Sequence, residues 1–273
     1  GSWILAALKE AEGPILVFLD DDDLFDPAKL ATVLRMFQST PELGYYHNGL
    51  RYVEEGGKTS LRTEGPAEAD RPAESIFRLS SGSRAPRGIA EAWGRGAAFN
   101  LSSISVRREV IDEQAAALGD IRGGVGSFLF YAAVLSSCEI VVDPTVLTNY
   151  RIHAGNKSGS GTPQASTMWV KQARFVRDGI HDTEVVLGLL RARGIDPRSA
   201  RPLRIVLHRS QVLLAAVDPS IPRTWTLTQI VRLAMASFPD QMRSGWGYFV
   251  MGILRMASPT WSRRWLGMRE RSG

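Results

Sequence analysis

The sequence is poor in cysteine, in long apolar runs and, toward its end, in acidic residues. Cys138 is the one cysteine in 273 residues, so no disulfide forms within the chain, and it reads as a small core residue. No uninterrupted apolar stretch approaches the roughly 18–20 residues that a membrane-spanning helix needs, and no secretory leader is visible at the start. No internal repeat appears. The glycine-rich RGGVG at 122–126 lacks the Gly-Lys-Ser/Thr of a phosphate-binding loop. A globular protein of one large domain or two modest ones, in a cytoplasmic setting, is the expectation.

Charge is unevenly spread. Residues 201–273 hold 11 Arg, no Lys and 3 acids, a net +8, while residues 1–200 hold 22 basic and 25 acidic residues, a net −3. An Arg-rich tail of this kind faces an anionic surface, or it is a set of solvated helix faces. The segment WGYFVMGILRMASPTWSRRWLGMRER mixes apolar, Trp and Arg residues. It suits a helix lying on an anionic membrane and equally a helix packed on the rest of the protein.

The chemistry-bearing feature is PILVFLDDDDLFDPAKL at 14–30. Ile15 to Leu19 read as a buried strand bounded by turn signals. Asp20, Asp21, Asp22 and Asp23 follow at its carboxyl end, where open α/β sheets bind ligands. In an extended chain Asp20 and Asp22 point the same way. Their repulsion is relieved by a hard divalent cation such as Mg²⁺ or Mn²⁺; a solvated acidic turn is the plainer reading. Asp26 is placed to cap a helix with Pro27 at its first position, and Leu30, Val33, Leu34 and Phe37 give it an apolar stripe.

A helix over 3–11 precedes this strand, and a strand over 44–53 follows the helix. Residues 56–88 read as a long surface loop. A strand within 98–106 leads into a helix at 107–118; a helix over 127–136 and a strand over 139–142 complete an α/β part. Beyond about residue 165 only helical periodicity remains. One stripe is Trp169, Ala173, Val176 and Ile180; a second is Leu203, Val206, Leu207, Leu213, Leu214 and Val217; a third is Trp246, Phe249, Val250, Ile253 and Leu254. Thr226 with Gln229 forms a capping-box pattern ahead of Leu227, Ile230, Val231, Ala234 and Phe238. GNKSGSGTPQAS at 155–166 marks the boundary, dividing the chain into domains 1–160 and 161–273.

Carboxylates after an apolar strand suit several chemistries. A haloacid-dehalogenase-type phosphatase has Asp-x-Asp-x-Thr/Val, its first Asp a nucleophile, here Asp20 with Asp22; Leu24 breaks that pattern. An EF-hand loop counted from Asp20 meets Leu24 and Phe25 at its fifth and sixth positions and fails. EAEGPILVFLDDDDLFDPAKLATVLRMFQSTPELGYYHNG closely resembles family 2 of the nucleotide-sugar glycosyltransferases, which have the GT-A fold. Those enzymes show a Gly, an apolar strand, Asp-x-Asp-Asp, and Pro-x-x-Leu opening a helix; Pro27 and Leu30 match. FNLSSISVRREVI at 99–111 and VVDPTVLTNYRIHAGNKS at 141–158 resemble later family segments, the latter a Tyr-Arg-x-His-x-x-Asn-x-Ser signature with Asn156 and Ser158.

The resemblance covers roughly residues 5–160. It implies an α/β, Rossmann-like GT-A core, truncated at its N-terminus because the family's opening strand and nucleobase loop are missing, with a C-terminal all-helical region. It implies inverting, metal-dependent transfer of a sugar from a nucleotide-diphosphate sugar to a glycan, lipid-linked or polysaccharide acceptor, as in cell wall or polysaccharide biosynthesis. Asp20 and Asp21 would lie against the nucleoside and ribose. Asp22 and His153 would hold Mn²⁺ or Mg²⁺. Arg151 would pair with phosphate or serve as support. No nucleic-acid partner is expected; peripheral contact with the inner face of a membrane through the Arg-rich helices is. One departure concerns the base that deprotonates the acceptor. Its family position falls near Gly126, which cannot take a proton, leaving Asp120 six residues upstream as a weak substitute. A catalytically degenerate, binding-only domain is therefore the rival reading.

Overall fold

The computed structural model describes residues 1–54, 59–60, 75–82, 85–153, 165–218, 220–237 and 242–257. The chain divides into two compact units, Gly1–Pro163 with Gly188–Ser199, and Gln164–Leu187 with Ala200–Gly273. The boundary segment expected at 155–166, including Asn156 and Ser158, lies outside the described residues up to 164.

The first unit is α/β. Its elements are α1 (Ser2–Glu10), β1 (Ile15–Val17), β2 (Leu24–Phe25), α2 (Lys29–Ser39), β3 (Leu43–Glu54), β4 (Thr59–Ser60), β5 (Phe77–Leu79), α3 (Pro86–Gly94), a 3-10 turn at Leu101–Ser103, β6 (Ile104–Arg107), α4 (Arg108–Asp112), α5 (Ala115–Asp120), α6 (Val125–Leu135) and β7 (Glu139–Ile152). Among the described residues they form one mixed sheet of order β1-β6-β3-β7-β2, with β4 on β3 and β5 on β7. β3 and β7 run parallel at its centre; β1, β6 and β2 pair antiparallel with their neighbours.

Successive residues of a strand face opposite ways, and β3 uses this to hold both layers. Tyr46 joins Val33, Phe37, Leu43 and Val141 on the α2 side. Tyr45 packs edge-on to Phe130 of α6, centroids 6.0 Å apart. α6 is apolar on every side, and Phe128 through Leu135 are all buried. Each phenol finds a buried acceptor: Tyr45 donates to the Ala97 carbonyl and Tyr46 to Asp143 Oδ2 at 2.8 Å. Where β7 bulges at Pro144, a Cβ on Gly49 of β3 would lie 2.3 Å from the Pro144 carbonyl oxygen, so this approach needs glycine.

Several sequence expectations are corrected. β1 is an edge strand in which only Leu16 is buried, because β6 covers one side and Leu19 lies exposed beyond its end. α2 begins at Lys29, two residues late. Asp26 Oδ1 instead accepts the Ala28 N–H at 2.9 Å in the turn before the helix. Its buried stripe is Lys29, Val33 and Phe37; Leu30 and Leu34 are exposed. The helix expected over 107–118 is broken into α4 and α5. The loop expected over 56–88 contains β4, β5 and the start of α3, its other residues lying largely outside the described set. The strand expected over 139–142 continues to Ile152, ten residues further.

The second unit is helical. It takes most of α7 (Ala165–Ala192), then α8 (Arg201–Val217), α9 (Arg223–Ser237) and α10 (Met242–Ala257). Ile205, Val212, Ala216, Leu233, Phe249 and Met251 form its core. Arg255 is buried there, donating to the carbonyls of Ala215 at 2.7 Å and Ile221 at 3.0 Å. Thr226 and Gln229 do not cap α9. The helix starts earlier, Thr226 Oγ1 donates to the Pro222 carbonyl at 3.3 Å, and Gln229 is buried. Leu227 and Val231, expected inside, are exposed. The side chains of Trp169, Val217, Phe238 and Trp246 lie outside the described ones. No described helix is long and apolar enough to cross a membrane.

Removing the Tyr46 hydroxyl leaves Asp143 short of a buried partner. Tyr46→Phe is expected to destabilise the first unit by about 1–3 kcal/mol, read as a lower urea midpoint with unchanged slope.

Candidate functional site

β1 and β2 lie at opposite ends of the strand order, yet only residues 18–23 connect them. The connection crosses the sheet along the 3-10 turn. Phe18 N–H points to the Ile104 carbonyl (3.5 Å), Asp20 N–H donates to Ser102 Oγ (2.9 Å), and Asn100 Nδ2 donates to Asp23 Oδ2 (3.1 Å). Asp23 N–H closes back on the Asp20 carbonyl at 3.1 Å, leaving Asp21 and Asp22 at the centre of a tight turn. The aspartates are thus not an extended segment with Asp20 and Asp22 aligned; the crossing forces the bend.

Asp23 anchors the turn. It is buried, and its Oδ1 accepts the Arg151 N–H at 3.2 Å. Burial raises its pKa, against hydrogen bonds from Ser102, Asn100 and the Arg151 backbone that lower it. Asn100, held by this carboxylate, sits in the left-handed region at φ 56°, which Asn tolerates better than most residues. The sequence reading gave Asp23 no role.

Below the turn lies a second residue the sequence reading missed. Lys29 is fully buried, with Nζ donating to the Ser102 carbonyl and to Thr148 Oγ1 (3.2 Å) and resting 4.2 Å over the Phe25 ring. Ser102 therefore touches Asp20 and Asp23 through its hydroxyl, and Lys29 and the Thr148 hydroxyl (3.1 Å) through its carbonyl. Burial pulls the Lys29 pKa down to about 7, opposed by the nearby Asp23 charge. His47 is buried alongside, Nε2 2.7 Å from the Phe99 carbonyl, its pKa pushed down to about 4 chiefly by burial. The available signal was spacing: Lys29 stands four residues before Val33 and eight before Phe37.

β2 pairs with β7 at Leu24↔Asn149. Extending that antiparallel register by two residues sets Asp22 opposite Arg151. His153 Nε2 lies 3.0 Å from Asp22 Oδ2, and Arg151 Nε donates to the Asp22 carbonyl. The side chains of Asp22 and His153 are each about one-third exposed, so the pair is open to solvent. The structure thus brings Asp22, Arg151 and His153 together across more than 125 residues of sequence. Asp20 is half-buried and Asp21 exposed, both on the same turn. No cluster of three or more His, Cys, Asp or Glu suited to a metal occurs among the described residues.

The expected base position is different. A Cβ on Gly126 would lie 2.5 Å from the Ala98 carbonyl oxygen and 3.3 Å from Ile104 Cδ1. The first turn of α6 is pressed against that backbone, and only glycine fits. Asp120 is exposed at the end of α5, which packs on α1, and the hydrogen bonds described at the aspartate turn do not involve it.

Comparison with known proteins agrees with the α/β fold. Residues 2–105 match the family model described as Glycosyl transferase family 2. An uncharacterized glycosyltransferase of Nostoc sp. is 25% identical over 177 residues, 63% of this chain and 49% of that protein. Over residues 2–105 the chain thus matches glycosyltransferase family 2, and it shares a distant likeness with a protein named as a glycosyltransferase. It spans about half the length of that curated relative. The family match includes the aspartate turn and stops before Arg151 and His153.

Two outcomes test this geometry. Gly126→Asp, which supplies a carboxylate at the family's base position, is expected to lower stability by about 1–3 kcal/mol through overpacking against Ala98 and to add no activity, as read by thermal melts and turnover assays. Lys29 binds its proton less readily folded than unfolded. Its destabilising effect is full below about pH 7 and is relieved as pH rises from about 7 toward the unfolded value of 10.5. Lys29→Met is expected to flatten that rise in a series of urea titrations across this window.

Proposed function

We propose that the chain transfers a sugar from a nucleotide-diphosphate sugar to a glycan or lipid-linked acceptor, with a divalent cation held at Asp22 and His153. The observation that carries this reading is the 3.0 Å approach of Asp22 Oδ2 and His153 Nε2. Adjacent ligands of an octahedral Mg²⁺ or Mn²⁺, each about 2.1 Å from the ion, stand roughly 3 Å apart, so the two donors fit one coordination edge. Of the two ions, the imidazole favours Mn²⁺ over the harder Mg²⁺. Asp22 and His153 would hold the ion, leaving it able to engage the donor's diphosphate.

A divalent cation held by Asp22 and His153 would supply positive charge against the departing diphosphate. The chain's own residues do the rest. His153 would offer Nε2 as a neutral ligand. Arg151 holds the Asp22 backbone in place. Asp20 and Asp21, on the same turn, are the proposed contacts of the nucleoside and ribose. Inversion, and a setting in the cytoplasm at the inner face of a membrane, complete the proposal.

A second reading, a transferase-like domain that binds the donor without turnover, is supported by Gly126, where a close backbone contact stands in place of a base. The family match favours neither and gives no support to a phosphatase using Asp20 and Asp22.

Calorimetric titration with a nucleoside diphosphate tests the site. Binding is expected to require Mn²⁺ and to weaken about 10–100-fold in Asp22→Ala and His153→Ala. Binding that persists in both variants, or that ignores metal, contradicts the assignment. Sugar release from the bound donor separates the transferase from the binding-only domain.

A further inference from the structure

Helix α9 packs on the core through Leu233, with Ile230 and Ala234 beside it, and also carries apolar side chains outward. Its buried positions are Thr226, Gln229, Leu233 and Ser237, three of them polar. Its outer face carries Leu227, Val231 and Met235, 50%, 49% and 69% exposed, at i, i+4 and i+8. This spacing makes a straight apolar ridge along one side of the helix. Isolated apolar side chains on a surface are ordinary, but an aligned ridge on a helix that already has an inward apolar face is not the pattern of a solvated helix.

Beside the ridge lies an open groove of about 470 Å³, lined by Arg204, His208, Arg232, Met235 and Ala236, with no carboxylate among them. Met235 belongs to both groove and ridge. His208 Nδ1 is within 3.0 Å of Gln211 Oε1 and 3.2 Å of Gln229 Oε1. Burial, with Arg232 and Arg204 nearby, lowers its pKa, so the groove's positive charge comes from the arginines. The buried polar face of α9 thereby has a purpose: Gln229 supports a groove residue instead of filling the core. The segment 201–273 is strongly basic throughout, with 11 Arg, no Lys and 3 acids.

We propose that this face of α9 and α8 docks the protein on an anionic membrane, with Leu227, Val231 and Met235 entering the acyl boundary and Arg204 and Arg232 taking lipid phosphate. Apolar insertion combined with basic contacts is how interfacial helices bind bilayers. Complementary charge argues for this occupant over a second copy of the chain, whose own groove would repel it. The proposal gives residues to the membrane setting proposed above, and it is independent of the aspartate turn.

The test is co-sedimentation of the full chain with phosphatidylcholine vesicles and with mixed phosphatidylcholine–phosphatidylglycerol vesicles. Binding is expected to the mixed vesicles and not to phosphatidylcholine alone. Arg204→Gln and Arg232→Gln should each weaken it about fivefold. Leu227→Ser with Met235→Gln should weaken it by about tenfold or more. All these positions are exposed or partly exposed, and circular dichroism checks that each variant stays folded. Asp22→Ala should bind vesicles normally, and the α9 variants should keep metal-dependent nucleotide binding, so either proposal can fail alone. The docking proposal is overturned if mixed vesicles are not bound, or if binding survives the ridge substitutions. It is equally overturned if the face binds only inorganic phosphate or duplex DNA, or if Val231→Gln merely converts a dimer to a monomer.

Discussion

The site depends on where one carboxylate is buried. Asp23 receives hydrogen bonds from Asn100 beside it and from the Arg151 backbone on β7. Burying a charge without partners is expensive, and removing one partner of a buried charge costs more than the pair contributes. The turn is therefore fixed by the need to keep Asp23 satisfied, and everything on it inherits that position. Asp22 faces His153 because its neighbour is tied to the strand that leads to His153.

The sheet explains why such a tie is needed. Its chain enters at one edge, β1, and must reach the other, β2, in a few residues. The path runs over the 3-10 turn, and Lys29 rises from the start of α2 to meet the same Ser102 from below. One serine joins the crossing, the helix and β7, so a displacement of any one of them reaches the aspartates. The close contact of α6 at Gly126 with the Ala98 carbonyl belongs to the same region, since Phe99 and Asn100 follow directly.

Much of this was legible in the sequence where the signal was chemical. Four aspartates after an apolar strand, with Tyr-Arg-x-His far downstream, pointed to residues that the fold brings within hydrogen-bonding distance. Where the signal was periodic, it misled by small shifts with large consequences. On α2 the leucines suggested a register that left Lys29 outside, whereas Val33 and Phe37 carry the true stripe and place Lys29 inside. On α9 the expected Ile230 and Ala234 do pack on the core, whereas Leu227 and Val231 are exposed, because nothing local distinguishes a core stripe from an exposed ridge. The bend at Asp20–Asp23 was invisible for a different reason: it is imposed by strand order, a property of the whole sheet. The long β7 was likewise set by pairing with β3, since NYRI alone carries little strand signal.

The central claim is that geometry, set by Asp23, assembles the Asp22–His153 pair proposed to hold the cation, rather than the summed charge of the aspartates. Free Mn²⁺ measured by electron paramagnetic resonance during titration of Asp23→Ala and Asp21→Ala tests it directly, because both variants lose one carboxylate from the same turn. The account predicts that Asp23→Ala loses far more Mn²⁺ affinity than Asp21→Ala although Asp23 is no ligand. Equal losses in the two variants, or a greater loss in Asp21→Ala, would contradict it.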